Sequence, residues 1–291
     1  MKPGDVVGGR FEVETLAGAG GMGSVYRSRD RLTGEPVALK VLRVDRRAPL
    51  DRFAREGQLL AELQHPGVVR YVAHGRAGDG PPYLVMEWLE GEDLKARLGR
   101  GPALSVDEVV ALGQQVGAAL GAAHARGVVH RDVKPGNLFL AGSDVRRVKL
   151  LDFGIARLLD RDSAITRAGM ALGTPGYIAP EQARGAEDVG AQADVFSLGC
   201  VLFECLAGVA PFHAEDKVAV LAKILLEEPP KLRAVRPDTP EALEALVGRM
   251  LAKEPGERPV DGDAVAAALG RLAGGGERRA ERGVAGGGGV A

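Results

Sequence analysis

The sequence is short of the residues that build disulfide scaffolds, zinc centres and membrane anchors. Only two cysteines occur in 291 residues, Cys200 and Cys205. Both lie in an apolar stretch, Ala193 to Ala207, that reads as helix, and their spacing there sets them about 7.5 Å apart along the axis. That exceeds the usual span of a disulfide, so they read as small buried thiols suited to a reducing cytoplasm. The five histidines are scattered, and no zinc-type spacing occurs. No apolar run approaches the ~20 residues that a membrane helix needs; the longest helical one, Val218 to Leu226, is interrupted by Lys223. Met1 to Arg10 holds no apolar signal core. The net charge is −1, so no global field favours nucleic acid or an anionic membrane. There is no internal repeat. Hydrophobic residues at 45% and charged residues at 26% make ordinary globular composition, long enough for one large domain or two lobes.

The first part reads as strands. Phe11, Val13 and Leu16 precede a glycine cluster, and Val25-Tyr26 follows it. The turn signal Thr33-Gly34 sets off a third strand over Val37 to Leu42. Asp51 to Leu63 has helical spacing, with Phe53, Leu59, Leu60 and Leu63 apolar. Strand-like Val68 to Val72 and Tyr83 to Met86 come next, then a connector at Glu90 to Asp93. The remainder is mainly helical. Ser105-Val106-Asp107-Glu108 is a capping box opening a helix to about Arg126. Thr239-Pro240-Glu241 supplies a cap, a first-turn proline and an acid for another. Asp261 can cap a last helix to about Leu272, and Gly274 to Ala291 reads as a flexible tail or a truncated linker.

Four motifs carry chemistry. Gly18-Ala19-Gly20-Gly21-Met22-Gly23 matches G-x-G-x-x-G. A dinucleotide fold would need a helix directly after it. Ser24-Val25-Tyr26-Arg27 is β-like instead, which favours a glycine loop between two strands whose amides face nucleotide phosphates; an ordinary glycine hairpin is the other reading of this run alone. Lys40 ends the strand Val37-Ala38-Leu39-Lys40, in reach of such phosphates, and Glu56 on the following helix is a candidate anion to steer it; both can equally be solvated charges. His130-Arg131-Asp132-Val133-Lys134-Pro135-Gly136-Asn137 puts an acid, a base and an amide in one loop. Asp152-Phe153-Gly154 follows the strand-like Val148 to Leu151. The last two match the catalytic-loop and metal-loop signatures of kinases. Asp132 can orient a hydroxyl and take its proton, Lys134 can offset charge on a transferring phosphoryl group, and Asn137 and Asp152 offer the hard oxygens magnesium prefers.

With these motifs in this order, the sequence resembles the eukaryotic-type (Hanks-type) serine/threonine protein kinases from Arg10 to about Leu272. It is most similar to the bacterial members in Gly18 to Tyr26 and in Gly173-Thr174-Pro175-Gly176-Tyr177-Ile178-Ala179-Pro180-Glu181. The resemblance implies an α+β, two-lobed kinase fold: a small β-rich N-lobe with one main helix over residues 11–87, a hinge at 88–91 and a larger, mainly helical C-lobe over 92–272. An N-terminal extension, 1–10, and a Gly/Ala/Arg-rich tail, 273–291, flank it. It implies ATP, with Mg2+ or Mn2+, as cofactors and Ser/Thr hydroxyls of proteins as acceptors. The loop from Gly18 through Ala19, Gly20, Gly21 and Met22 to Gly23 would cover the phosphates. Val25 and Ala38 from above and Phe139 from below would hold the adenine, and Leu16 would also line the nucleotide site. Met86 would be the gatekeeper, backbone groups of Glu87 to Leu89 would bind the base, and Asp93 the ribose. Lys40 paired with Glu56 would hold the phosphates. Leu60, Tyr71, His130 and Phe153 would stack as a spine, Glu181 would pair with Arg258, and Asp194 would anchor the catalytic loop.

The resemblance also implies a switch and an acceptor shelf. Thr174 would bond Asp132 and Lys134 at the shelf that its neighbours form for the residue after the phosphosite, and Arg131 would receive a phosphate on Thr166, or on Ser163, in the loop between Gly154 and Ala179. One copy could phosphorylate another, which leaves room for a homodimer. A pseudokinase usually lacks the strand lysine, the loop aspartate or the metal aspartate, and Lys40, Asp132 and Asp152 are all present. A small-molecule phosphotransferase of related fold would lack the Ala179-Pro180-Glu181 segment. The chain reads either as a small kinase without a membrane segment or as a piece of a larger one.

Overall fold

A computed structural model describes residues 1–20, 23–43, 61–76, 80–153 and 175–285, with side chains as far as 273. The N-terminal part is one antiparallel sheet of six strands, in the order β1-β2-β3-β4-β6-β5: Val6–Val7, Phe11–Gly20, Gly23–Asp30, Pro36–Leu42, Pro82–Glu87 and Tyr71–Arg76 (β5). Alternation divides its two faces. Val37, Leu39 and Val85 join Val7, Phe11, Val13 and Tyr83 in a small apolar core. The residues between them in sequence, Ala38 and Lys40, look the other way. Cross-strand partners share a face, so Met86 (opposite Ala38) and Val25 (opposite Lys40) lie on that second face. At one edge, Asp30 is almost fully buried and takes a two-pronged bond from Arg10 at 2.8 and 2.6 Å. That guanidinium holds its carboxyl below the usual carboxylate range.

The C-terminal part is mainly helical, with a three-stranded antiparallel sheet, β7-β8-β9, at its top: Gly91–Asp93, Leu138–Ala141 and Val148–Leu150. Its helices are α1 Leu94–Arg100, α2 Val106–His124, α3 Pro180–Ala183, α4 Ala191–Ala207, α5 Lys217–Leu226, α6 Leu232–Val235, α7 Glu241–Met250 and α8 Gly262–Ala285. The Ser105–Glu108 capping box opens α2 as expected from sequence. Helix α4 is apolar on nearly all sides and runs through the core, burying both thiols, which burial pushes up. Helix α8 lies against α2 where the latter carries Gly117 and Gly121. A Cβ on Gly121 would come within 2.1 Å of Asp263 Oδ1, so the close approach of the two helices requires glycine there.

Four boundaries differ from expectation. Helix α7 starts at Glu241 with Pro240 as its cap, and the Thr239 hydroxyl is buried without a hydrogen-bond partner; the first turn closes on the Pro240 carbonyl instead. The strand expected over Val68 to Val72 begins only at Tyr71, because Val68 and Val69 are drawn to Leu150 of β9. Gly91, expected in the hinge, opens β7. The last helix continues past Leu272 to Ala285; Glu277 to Arg282 are good helix formers that carry it through the glycines. Of the helix expected over Asp51 to Leu63, only the last three residues are described: Ala61 and Glu62 are helical, while Leu63 lies beyond the helix and is buried in the core.

Arg258 welds the lower lobe. Its side chain is fully buried and meets both oxygens of Glu181 at 2.8 and 2.9 Å, as well as the carbonyls of Ala252, Gln192 and Lys253. Arg258→Met leaves a carboxylate and three carbonyls without their donor. Breaking a buried pair from one side costs about 3–5 kcal/mol. Urea denaturation should show a loss of that size; a loss under about 1 kcal/mol would mean the pair is effectively solvated.

Candidate active site

The site forms between the second face of the upper sheet and the top of the helical lobe. The glycine run joins β2 to β3 as a hairpin whose pairing continues to Gly20 opposite Gly23; Gly21 and Met22 lie outside the described residues. Gly18 and Ala19 pair with Val25 and Ser24, and Leu16 stands before the loop, 59% exposed. Val25, Ala38 and Met86 share the face that carries Lys40. Opposite, Asp93 and Phe139 are directly paired across β7 and β8. Asp93 also caps α1, accepting from Ala96 N–H at 2.8 Å. The Glu87-Trp88-Leu89 segment connects the two parts.

Asp132, Lys134 and Asn137 come together in one loop. Lys134 Nζ is 2.7 Å from Asp132 Oδ2, and Asn137 Nδ2 donates to the Asp132 carbonyl at 2.7 Å and to Oδ2 at 3.0 Å. The loop is fixed from below by Asp194 of α4, which is fully buried. Its Oδ2 takes the His130 N–H and its Oδ1 the Arg131 N–H, both at 2.7 Å. His124 Nε2 supplies a third bond to Asp194 at 2.9 Å while its Nδ1 accepts from Gly262 N–H, so the proton sits on Nε2 and α8 is tied into the same chain. Arg131 has a left-handed backbone, φ 66°, as does Asp152, φ 53°. Such a conformation costs about 1–3 kcal/mol in a non-glycine residue and persists only where neighbours over-determine it.

Lys40 is 7% exposed and pairs with Asp152, Nζ to Oδ2 at 2.5 Å. Asp152 follows β9, and Leu151 N–H donates to the Asn137 carbonyl at 2.8 Å. The Asp152 carboxylate and the Asn137 amide therefore stand at the same end of the β8–β9 hairpin. Among the described residues no group of three or more His, Cys, Asp or Glu side chains converges as a metal cage. One carboxylate plus one amide oxygen is the sparse, hard donor set that suits Mg2+ shared with substrate phosphates. His130 packs against Phe153, ring centroids 4.7 Å apart and planes tilted by 45°, and donates from Nε2 to the Leu151 carbonyl. Tyr71 stands on β5. Glu56, Leu60, Ser163, Thr166 and Thr174 lie outside the described residues.

Three features were not anticipated from sequence. Glu87 meets Lys149 Nζ at 2.5 Å and accepts from Arg70 N–H, linking the connector to β9. Tyr177 donates to Glu204 at 2.6 Å, and burial raises that carboxyl above its ordinary range. Gln182 bridges α3 and the catalytic loop. Each makes a bond to a residue far away in sequence, 62 positions for Glu87–Lys149, 27 for Tyr177–Glu204 and 51 for Gln182–Arg131.

The protein kinase domain family model matches residues 11–268, and the chain belongs to that family. Within it the similarity runs to bacterial serine/threonine-protein kinases. Pkn3 of Myxococcus xanthus is 38% identical over 279 residues, covering 91% of this chain and 50% of Pkn3, so the chain spans about half the length of that relative. Among solved structures, the kinase domain of Mycobacterium tuberculosis PknI matches with a TM-score of 0.72 at 30% identity, over 93% of this chain and 98% of that one. Rad53 1–466 in complex with AMP-PNP matches at 0.74 and 25% identity, over 89% and 65%. No helix among the described residues is long and apolar enough to cross a membrane.

Proposed function

We propose that this chain transfers the γ-phosphoryl group of Mg-ATP to serine and threonine hydroxyls of other proteins. The observation that carries the reading is the convergence of Lys134 and Asn137 on Asp132, each within 3.0 Å of it, in a loop beside the Lys40–Asp152 pair. The names of the relatives and the ATP analogue held by Rad53 support the same class.

In this reading Asp132 accepts the hydrogen of the incoming hydroxyl and aims its oxygen. Lys134, held at 2.7 Å from Asp132, offsets charge on the phosphoryl group. Lys40 binds the α- and β-phosphates, steered by Glu56 in the active state, and Asp152 and Asn137 hold magnesium. The metal, when bound, neutralises phosphate charge and orients the group to be transferred. The glycine loop, Leu16, Val25, Ala38, Met86, the 87–89 backbone, Asp93 and Phe139 enclose the nucleotide. The lobes divide at 11–87 and 92–272, and a cytoplasmic setting suits the buried thiols. Incubating the protein with γ-labelled ATP and myelin basic protein tests the reading. Label on the protein, abolished by a chelator, is expected; label confined to a small alcohol would favour a small-molecule phosphotransferase.

A switch is part of the proposal. Phosphate on Thr166 adds about 1.5–2 negative charges, which the planar fork of Arg131 can receive. One copy could modify another. Mass spectrometry after incubation with Mg-ATP should find phosphate on Thr166, and Thr166→Ala should activate poorly. Full activity in a Thr166→Ala, Ser163→Ala double variant contradicts it.

A further inference from the structure

We infer that Gln182 is a positioning residue that ties helix α3 and the Ala179 turn before it to the peptide unit of Asp132. The inference rests on the reading of Asp132 as the group that receives the substrate hydroxyl.

Gln182 stands in the short helix α3, directly after Glu181, which Arg258 fixes from the core. Its Oε1 accepts from Ala179 N–H at 3.2 Å, and its Nε2 donates to the Arg131 carbonyl at 3.2 Å. An N–H on one side and a carbonyl on the other leave only one way round for the amide. The Arg131 carbonyl and the Asp132 N–H belong to the same peptide group. That group is gripped at both ends, by Gln182 on its oxygen and by His130 Nδ1 on its nitrogen at 3.2 Å. The preceding peptide is held by Asp194 through the Arg131 N–H. Arg131 needs this because its left-handed backbone would otherwise relax. Asp194 and His130 approach from the core and from the loop itself. Gln182 alone among these three comes from helix α3, so it carries the position of that helix to the catalytic carboxylate. A tilt of the Arg131–Asp132 peptide would swing the Asp132 side chain off the line of the incoming hydroxyl without touching the nucleotide site. Reaction rates fall steeply with small misplacements of this kind.

Two variants separate the roles of the amide. Q182E keeps the acceptor for Ala179 N–H but turns an oxygen toward the Arg131 carbonyl; Q182L removes both bonds. Each should lower kcat for phosphorylation of myelin basic protein by about tenfold, the loss expected for one positioned hydrogen bond. The KM for ATP should stay within about twofold in both. Q182E should stay folded under assay conditions, its urea midpoint lowered by no more than one lost hydrogen bond accounts for. Wild-type kcat in Q182E overturns the inference, as does a fall in kcat that disappears when activity is normalised to the folded fraction, or failure of both variants to fold, since the last two mean a purely structural role. D132N is measured alongside. If D132N retains full activity, the assignment of Asp132 falls and this inference with it; if D132N is inactive while Q182E is normal, only the role of Gln182 falls.

Discussion

Asp132→Asn is expected to lower kcat by about 10²- to 10⁴-fold, the range contributed by a positioned general base, while the fold and ATP affinity persist. The amide has nearly the shape of the carboxylate. It can still accept from Lys134 Nζ and Asn137 Nδ2, which stand 2.7 and 3.0 Å from Oδ2, and the backbone of the loop remains pinned by Asp194. What disappears is the negative charge able to receive a proton from a hydroxyl. The loss should therefore sit in kcat, with the KM for ATP changed little. Steady-state kinetics with a fixed protein acceptor reads both. An unchanged kcat would mean that the hydroxyl hydrogen goes elsewhere.

Asp152→Asn should be at least as damaging, by about 10³-fold or more in kcat/KM for Mg-ATP, since positioning and charge neutralisation supply most of the catalysis of phosphoryl transfer. Asparagine is the better probe than alanine here. Asp152 has φ 53°, a conformation asparagine tolerates and alanine does not. The substitution removes a hard anionic ligand and also takes the counter-ion from Lys40, which is 7% exposed. The defect should deepen as magnesium is lowered, because the remaining donor set binds the cation more weakly. Measuring kcat/KM across magnesium concentrations separates this from a simple loss of stability. Normal turnover at limiting magnesium would remove Asp152 from the metal site.

The catalytic loop and the metal loop could be read directly because they are local. Asp132, Lys134 and Asn137 are close in sequence, and one turn of chain brings them within hydrogen-bond reach. The glycine run between two strands was legible for the same reason, since strand-like residues stand directly on either side of it; the two register shifts between Val13 and Gly18 had no such local signal. The Glu181–Arg258 pair and the anchoring by Asp194 came from family resemblance, and both contacts are present in the fold. Other contacts had no sequence signal. Nothing in Gln182, Glu87 or Lys149 announces a partner, since each partner is supplied by packing. Thr239 looked like a cap because it precedes a proline, yet the helix takes Pro240 as its cap. The triple glycine after Ala273 looked like a helix end, and the charged run beyond it kept the backbone helical. The expected partner of Lys40, Glu56, lies outside the described residues; within them Lys40 meets Asp152.

The central claim is phosphoryl transfer to protein serine and threonine, and phosphosite mapping by mass spectrometry on a generic protein acceptor tests it most directly. The purified chain, incubated with Mg-ATP and myelin basic protein, should place phosphate on serine and threonine, and the D132N chain, treated identically, should place almost none. An acceptor left unmodified by the parent chain, or modified equally by both, would contradict the account.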